Sequence, residues 1–114
     1  MRLAEWDGKA ALRRHGIAVP EGVLLRDGAP PAGLGDAVVK AQILEGGRGK
    51  RGLVRRAQGD VAGTAAAIRA ALGDPAAPLL LERPVVIAQE IFLALRIDGT
   101  AQAIGAVDHR ISSV

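Results

Sequence analysis

The stretch VVKAQILEGGRGKRGLVRR, residues 38–56, decides how this chain is read. Its first half is strand-like, with Val38, Val39 and Ala41 around a single charge, Lys40. Its second half sets Gly46, Gly47, Gly49 and Gly52 among Arg48, Lys50, Arg51, Arg55 and Arg56, with no acid between Gly46 and Arg56. Like charges this dense repel one another unless water, salt or an anion screens them. Glycines at 46, 47 and 49 let backbone N–H groups turn toward one concavity, as phosphate-binding nests require. The pattern fits a solvated hairpin loop that is incidentally basic, a nucleic-acid patch, or a loop that folds over a phosphate chain. It is not a Walker-type P-loop. Leu44 stands where that motif has glycine, Arg51 where it has Ser or Thr, and a strand follows where a helix should.

Lys40 bears on the choice. Strand alternation puts it on the same face as Val38, in an otherwise apolar segment. A buried, unpaired ammonium is costly, so Lys40 must reach water or an anion. The structural alternative is an edge lysine whose stem lies along the sheet while its head reaches solvent. A strand lysine running into a basic glycine loop is also what a nucleotide site would use.

Composition narrows the field further. At 114 residues the chain is one domain or a tight pair of subdomains, long enough to bury roughly 60–70% of its unfolded surface. It is 49% hydrophobic but 2% aromatic, so the core must be Ala, Val, Leu and Ile. Trp6 and Phe92 are the only aromatic residues, which argues against base-stacking and against nucleic acid as a partner. Without cysteine there are no disulfides, thiolate metal sites or thiol nucleophiles. The net charge of +3 suits anionic ligands but is weak evidence in an Arg- and Ala-rich chain. No apolar stretch approaches the roughly 20 residues of a membrane span, and the N-terminus is too polar for a signal-peptide core. A cytoplasmic location is the expectation.

The periodicity of Leu3, Trp6, Ala10 and Leu12 predicts a helix over residues 2–15, stopped at Gly16. An extended segment follows at 17–25, then a Gly/Pro/Asp loop to Asp36. Strands are expected at 37–42 and 52–57 on either side of the glycine cluster. Asp60 is placed to cap a helix over Val61–Leu72, which Gly73 ends. Strands follow at 78–82, 85–98 and 100–107, the last two joined by a hairpin turn at Asp98-Gly99. This order predicts a mixed α/β (α+β) fold with mainly antiparallel pairing and two principal helices.

Two long segments carry a family likeness. LAEWDGKAALRRHGIAVPEG (residues 3–22) presents Leu3, Glu5, Trp6, Gly8 and Lys9, followed by Gly16, Pro20 and Gly22. The opening stretch presents Val-Lys-x-Gln at Val39–Gln42 and Gly-Gly-Arg-Gly-Lys at 46–50. Together they resemble the N-terminus of succinyl-CoA synthetase β subunits and of the wider group of ADP-forming acyl-CoA and malate–CoA ligases, whose nucleotide domain is an ATP-grasp fold. LLLERPVVIAQEIFLALRID is similar to the segment that crosses between the two ATP-grasp lobes, so the likeness runs from residue 1 to about 98.

The resemblance implies a ligase that joins a carboxylic acid to CoA at the expense of a nucleoside triphosphate, ATP or GTP, with Mg²⁺ accompanying the nucleotide. It implies that Lys40 contacts phosphate oxygens and that Gly47, Arg48 and Gly49 form a lid over them. Glu82 would lie at the hinge beside the base, Val85 at a neighbouring backbone-contact position, and Glu90 on the ribose hydroxyls. Read on residues alone, Glu82 is a strand-end carboxylate and Glu90 an outward-facing one. The phosphorylated histidine of the family belongs to a partner α subunit, so His15 and His109 are given no role.

The small lobe would span 21–85, with 1–20 and 86–114 beginning the larger lobe. Family members are several times longer, and their Mg²⁺ ligands fall beyond the equivalent of residue 114. The chain alone is therefore expected to be catalytically silent. Leu44, Glu45 and the final GAVDHRISSV depart from the family pattern, which leaves the choice of base open. An uncovered apolar lobe face would permit self-association. The competing reading is a non-enzymatic module that binds polyanions or a protein through the basic loop.

Overall fold

A computed structural model describes residues 2–98 and 101–109. Helix α1 (Glu5–Arg14), strands β1 (Gly22–Leu25), β2 (Val38–Ala41) and β3 (Val54–Arg56), helix α2 (Val61–Leu72) and strand β4 (Leu79–Glu82) fall within one compact unit, Met1–Pro84. A second unit, Val85–Val114, contains strands β5 (Glu90–Asp98) and β6 (Ala101–His109). The fold is the mixed α/β arrangement predicted, and every strand pairing in it is antiparallel.

In the first unit the sheet order is β1-β4-β2-β3. Strand β4 therefore pairs on both edges, Leu81 opposing Val23 on one side and Val39 on the other. A central strand covered on both faces has no solvent side, which is why LLLE reads as a continuous run and every residue in it is buried. Alternation sends Leu79 and Leu81 to one face, where with Val39 and Ala41 they meet Val61, Ala65 and Ile68 of α2. The same alternation sends Leu80, Glu82, Val38 and Lys40 to the other face. Gly22 lies opposite Glu82 at the edge of that second face, and a Cβ there would come within 3.0 Å of the Leu80 side chain.

Helix α2 has the predicted limits because both ends are chemically specified. Asp60 accepts a hydrogen bond from the Gly63 amide at 2.9 Å. Gly73 adopts the left-handed conformation (φ 69°), and the Asp74 amide returns to the Arg69 carbonyl. Substituting Asp60→Ala should cost about 1 kcal/mol, the usual loss of an N-cap, read as a lowered urea midpoint with an unchanged slope.

Helix α1 departs from its expected packing. It begins at Glu5 rather than at residue 2 and its last helical residue is Arg14, with the expected stop Gly16 left-handed (φ 78°) two residues on; none of its residues is buried, and Leu12 on it, like Leu3 just before it, stays exposed. What ties it to the sheet is polar: the Trp6 amide donates to Gln42 Oε1 at 2.8 Å, and Glu5 and Lys9 pair with sheet residues.

The second unit is a two-stranded ladder whose register closes at Glu90–His109 and Asp98–Ala101. The expected strand over 85–98 thus begins at Glu90, and residues 85–89 lie outside the ladder. Residues 99 and 100, on which the expected hairpin turn falls, are outside the described residues. No helix among the described residues is long and apolar enough to cross a membrane.

Candidate functional site

On the face of the sheet away from α2, five charged side chains from four parts of the chain meet. Lys40 (β2) and Glu82 (β4) are diagonal neighbours, since Lys40 opposes Leu80 and Val38 opposes Glu82. Lys40 Nζ donates to Glu82 Oε1 and to Glu5 Oε2, each at 2.8 Å. Lys9 Nζ bonds Glu5 Oε2 at 2.7 Å and also Glu82 Oε2. Arg48, from the glycine loop, donates to Glu5 Oε1 at 2.6 Å and to the Ala41 carbonyl at 2.8 Å. Three cations thus face two carboxylates, leaving one net positive charge.

The expectation that Lys40 must reach an anion is met inside the protein, by two carboxylates. Its side chain is only 18% exposed and is held between Glu5 of α1 and Glu82 of β4. Burial works against the charged ammonium, but the hydrogen bonds and charges of Glu5 and Glu82 outweigh it and raise the Lys40 pKa above its ordinary 10.5. Lys40 is therefore a fixed cation throughout the neutral range. Burial likewise raises the Glu5 pKa, yet hydrogen bonds from Lys40, Lys9 and Arg48 prevail and bring it from 4.5 down to about 2.

A carboxyl held lower in the folded than in the unfolded chain stabilises above its ordinary pKa and loses that contribution as pH falls through the folded value. Docking of α1 should accordingly persist at pH 4.5 and be lost as pH falls toward about 2. Trp6, the single tryptophan, reports it. It borders a groove with Leu24, Gln42 and Pro78, so its emission should move toward that of solvent-exposed tryptophan over that interval. Glu5→Gln should remove this acid step.

The glycine loop supplies backbone donors. The amides of Arg51, Gly52 and Leu53 close turns onto the carbonyls of Gly47, Arg48 and Gly49. Among the described residues, the amides of Gly47, Arg48 and Gly49 have no acceptor of their own. Gly47 has φ 77°, and no atom outside the local chain lies within 4 Å of where a Cβ would stand on Gly46, Gly47 or Gly49. The loop is an open run of free N–H groups beside a cation, which is what an oxyanion needs. The remaining basic residues have partners of their own or face solvent. Arg55 bonds the Gly52 carbonyl, Arg56 is bound by Asp36, and Lys50 and Arg51 are exposed.

Of the residues singled out in the sequence, Lys40, Arg48 and Glu82 join in one cluster, with Gly47 and Gly49 flanking Arg48 in the chain. Val85 and Glu90 belong to the second unit, Val85 exposed and Glu90 half-buried at the start of β5. Glu5 and Lys9 were not among the residues given a role. Their signal was present in the i,i+4 spacing of an acid and a base on one helix face. Among the described residues, no group of three or more His, Asp or Glu could hold a metal ion.

A family model described as an ATP-grasp domain matches residues 2–109. The chain belongs to the ATP-grasp family. This ATP-grasp chain is 39% identical to a succinate–CoA ligase [ADP-forming] β subunit of Thioalkalivibrio sulfidiphilus, over 86% of its own length and 30% of the relative's. It is equally identical, at 39%, to the corresponding subunit of Syntrophotalea carbinolica, again over 86% of this chain and 29% of that one. An ADP-forming sulfoacetate–CoA ligase subunit of Bilophila wadsworthia is 36% identical over 86% of this chain and 28% of its own. The ATP-grasp chain spans less than a third of these relatives.

Proposed function

We propose that this chain supplies the phosphate-holding side of a nucleotide site in the β subunit of an ADP-forming acyl-CoA ligase. The observation that carries the reading is the convergence of Lys40 and Arg48 on one carboxylate, that of Glu5, beside the free amides of Gly47–Gly49. Two cations within hydrogen-bond reach of one small anion, next to unspent N–H donors, form a receptor for phosphate oxygens. The ligand in this reading is ATP or GTP.

Lys40 and Arg48 would neutralise charge on the terminal phosphates, as phosphoryl transfer requires. Glu82 would stand at the hinge by the base, with Val85 nearby as a backbone contact and Glu90 on the ribose. Residues 21–85 would form the small lobe, and 1–20 with 86–114 the beginning of the larger. The phosphoryl group would pass to a histidine of a partner α subunit on the way to acyl-CoA. Mg²⁺ would accompany the nucleotide, with its protein ligands supplied by the part of the relatives that this chain does not span. The chain alone would therefore bind without turning over.

The competing reading, a polyanion- or protein-binding module, is disfavoured by how the basic residues are used. Of the five loop cations, Arg48 is already paired with Glu5 and Arg56 with Asp36, so two of them are spoken for by carboxylates of the protein. Calorimetric titration with ATP and, separately, with tripolyphosphate distinguishes the two. Saturable binding in which ATP exceeds tripolyphosphate supports a nucleotide site. Equal, salt-labile binding of both supports the polyanion module.

A further inference from the structure

Glu5 occupies the position that the proposed function reserves for a ligand. Its two oxygens take the same two cations, Oε2 on Lys40 at 2.8 Å and Oε1 on Arg48 at 2.6 Å. Both cations are largely withdrawn from solvent, the side chains of Lys40 and Arg48 being only 18% and 25% exposed. Helix α1, which carries Glu5, has no buried residue. Its links to the sheet and loop are the ion pairs of Glu5 and Lys9 and one amide bond from Trp6 to Gln42. An element held mainly by charge, with Trp6 half-buried and no fully buried apolar residue, is released when a stronger anion takes its counter-ions.

We propose that Glu5 is a built-in stand-in for phosphate, and that nucleotide phosphates displace it from Lys40 and Arg48 and so undock α1 from the sheet. The proposal rests on the nucleotide reading above. Its physical content is a competition. A ligand that binds only the undocked form has its apparent affinity lowered by the fraction of protein in which Glu5 is docked. The freed Glu5 keeps Lys9 as a counter-ion, through the i,i+4 pair within α1. Glu5 is thus a determinant of affinity that does not itself touch the nucleotide.

The test follows Trp6 emission and binding together, with ATP and tripolyphosphate as probes, in the wild-type chain, Glu5→Gln, Gln42→Leu and Lys40→Ala. Gln42→Leu removes the acceptor of the Trp6 amide without altering any charge, and so separates undocking from simple removal of a negative group. The expected result is a ligand-induced red shift of Trp6 in the wild type. Glu5→Gln should be shifted already without ligand and bind roughly tenfold tighter, and Gln42→Leu should also bind more tightly. If ATP binds saturably and depends on Lys40, but Trp6 is unmoved and Gln42→Leu binds like wild type, phosphate adds beside Glu5. The displacement is then wrong while the nucleotide site stands. If neither probe binds the wild type or Glu5→Gln, the nucleotide reading and the displacement fall together.

Discussion

Replacing Lys40 with alanine should lower the affinity for ATP by about 100-fold, equivalent to about 3 kcal/mol, the scale of charge-assisted hydrogen bonds lost from a partly buried site. The fold should survive the change. Glu5 retains Lys9 and Arg48, and Glu82 retains Lys9, so neither carboxylate is left without a counter-ion. Arg55→Ala and Arg56→Ala serve as controls of equal charge. Their side chains are bound to the Gly52 carbonyl and to Asp36, outside the cluster, and each should change ATP affinity by less than about twofold. Calorimetry on the three variants reads the difference. Equal losses in all three would mean that the loop attracts ATP only as a diffuse positive charge.

Glu82→Ala should be the most destabilising change in the cluster, at about 3 kcal/mol, read from urea unfolding followed by circular dichroism. Glu82 is 5% exposed and is the sheet's own carboxylate for Lys9 and Lys40. Removing it leaves those two lysines with Glu5 alone, which must also serve Arg48. The penalty comes from a charge left in a poorly solvated place, so it should shrink when the charge is removed too. A Glu82→Leu, Lys40→Met double variant should recover most of the lost stability, since apolar groups of similar volume replace a buried pair at little net cost. It should still bind ATP no better than Lys40→Ala. A stable double variant with impaired binding would separate what the cluster does for the fold from what it does for the ligand. If the losses simply add, the two residues are not coupled.

The parts of the fold legible in the sequence are those set by local chemistry. Helix α2 runs from Val61 to Leu72 as predicted because Asp60 and Gly73 satisfy its two ends within a few residues. The run LLLE reads as a short buried strand, and in the structure all four of its residues are buried. Lys40 announces a need for an anion because its strand is apolar. What supplies that anion was not legible. Glu5 and Glu82 lie 35 and 42 residues away in sequence, and no local pattern encodes a pairing at that distance.

Helix α1 shows the complementary limit. The spacing of Leu3, Trp6, Ala10 and Leu12 says which residues share a face, not whether anything packs against it. In the structure Leu3 and Leu12 are exposed, and the contacts that hold the helix come from Glu5, Lys9 and the Trp6 amide. The strand expected from residue 85 fails for a related reason. Val85, Val86 and Ile87 have strong β preference, but a strand also needs a ladder partner, and the β5–β6 pairing begins at Glu90–His109.

The central claim is that Lys40 and the Gly47–Gly49 amides receive the phosphates of a nucleotide. The most direct measurement is a titration of the ¹⁵N-labelled chain with ATP, followed by ¹H–¹⁵N spectra of the backbone amides. The account predicts saturable shifts concentrated at Gly47, Arg48 and Gly49 and along Val39–Ala41, absent in Lys40→Ala. Shifts spread instead over Arg13, Arg14, Lys50, Arg51 and Arg55, reproduced by tripolyphosphate and erased by salt, would contradict it.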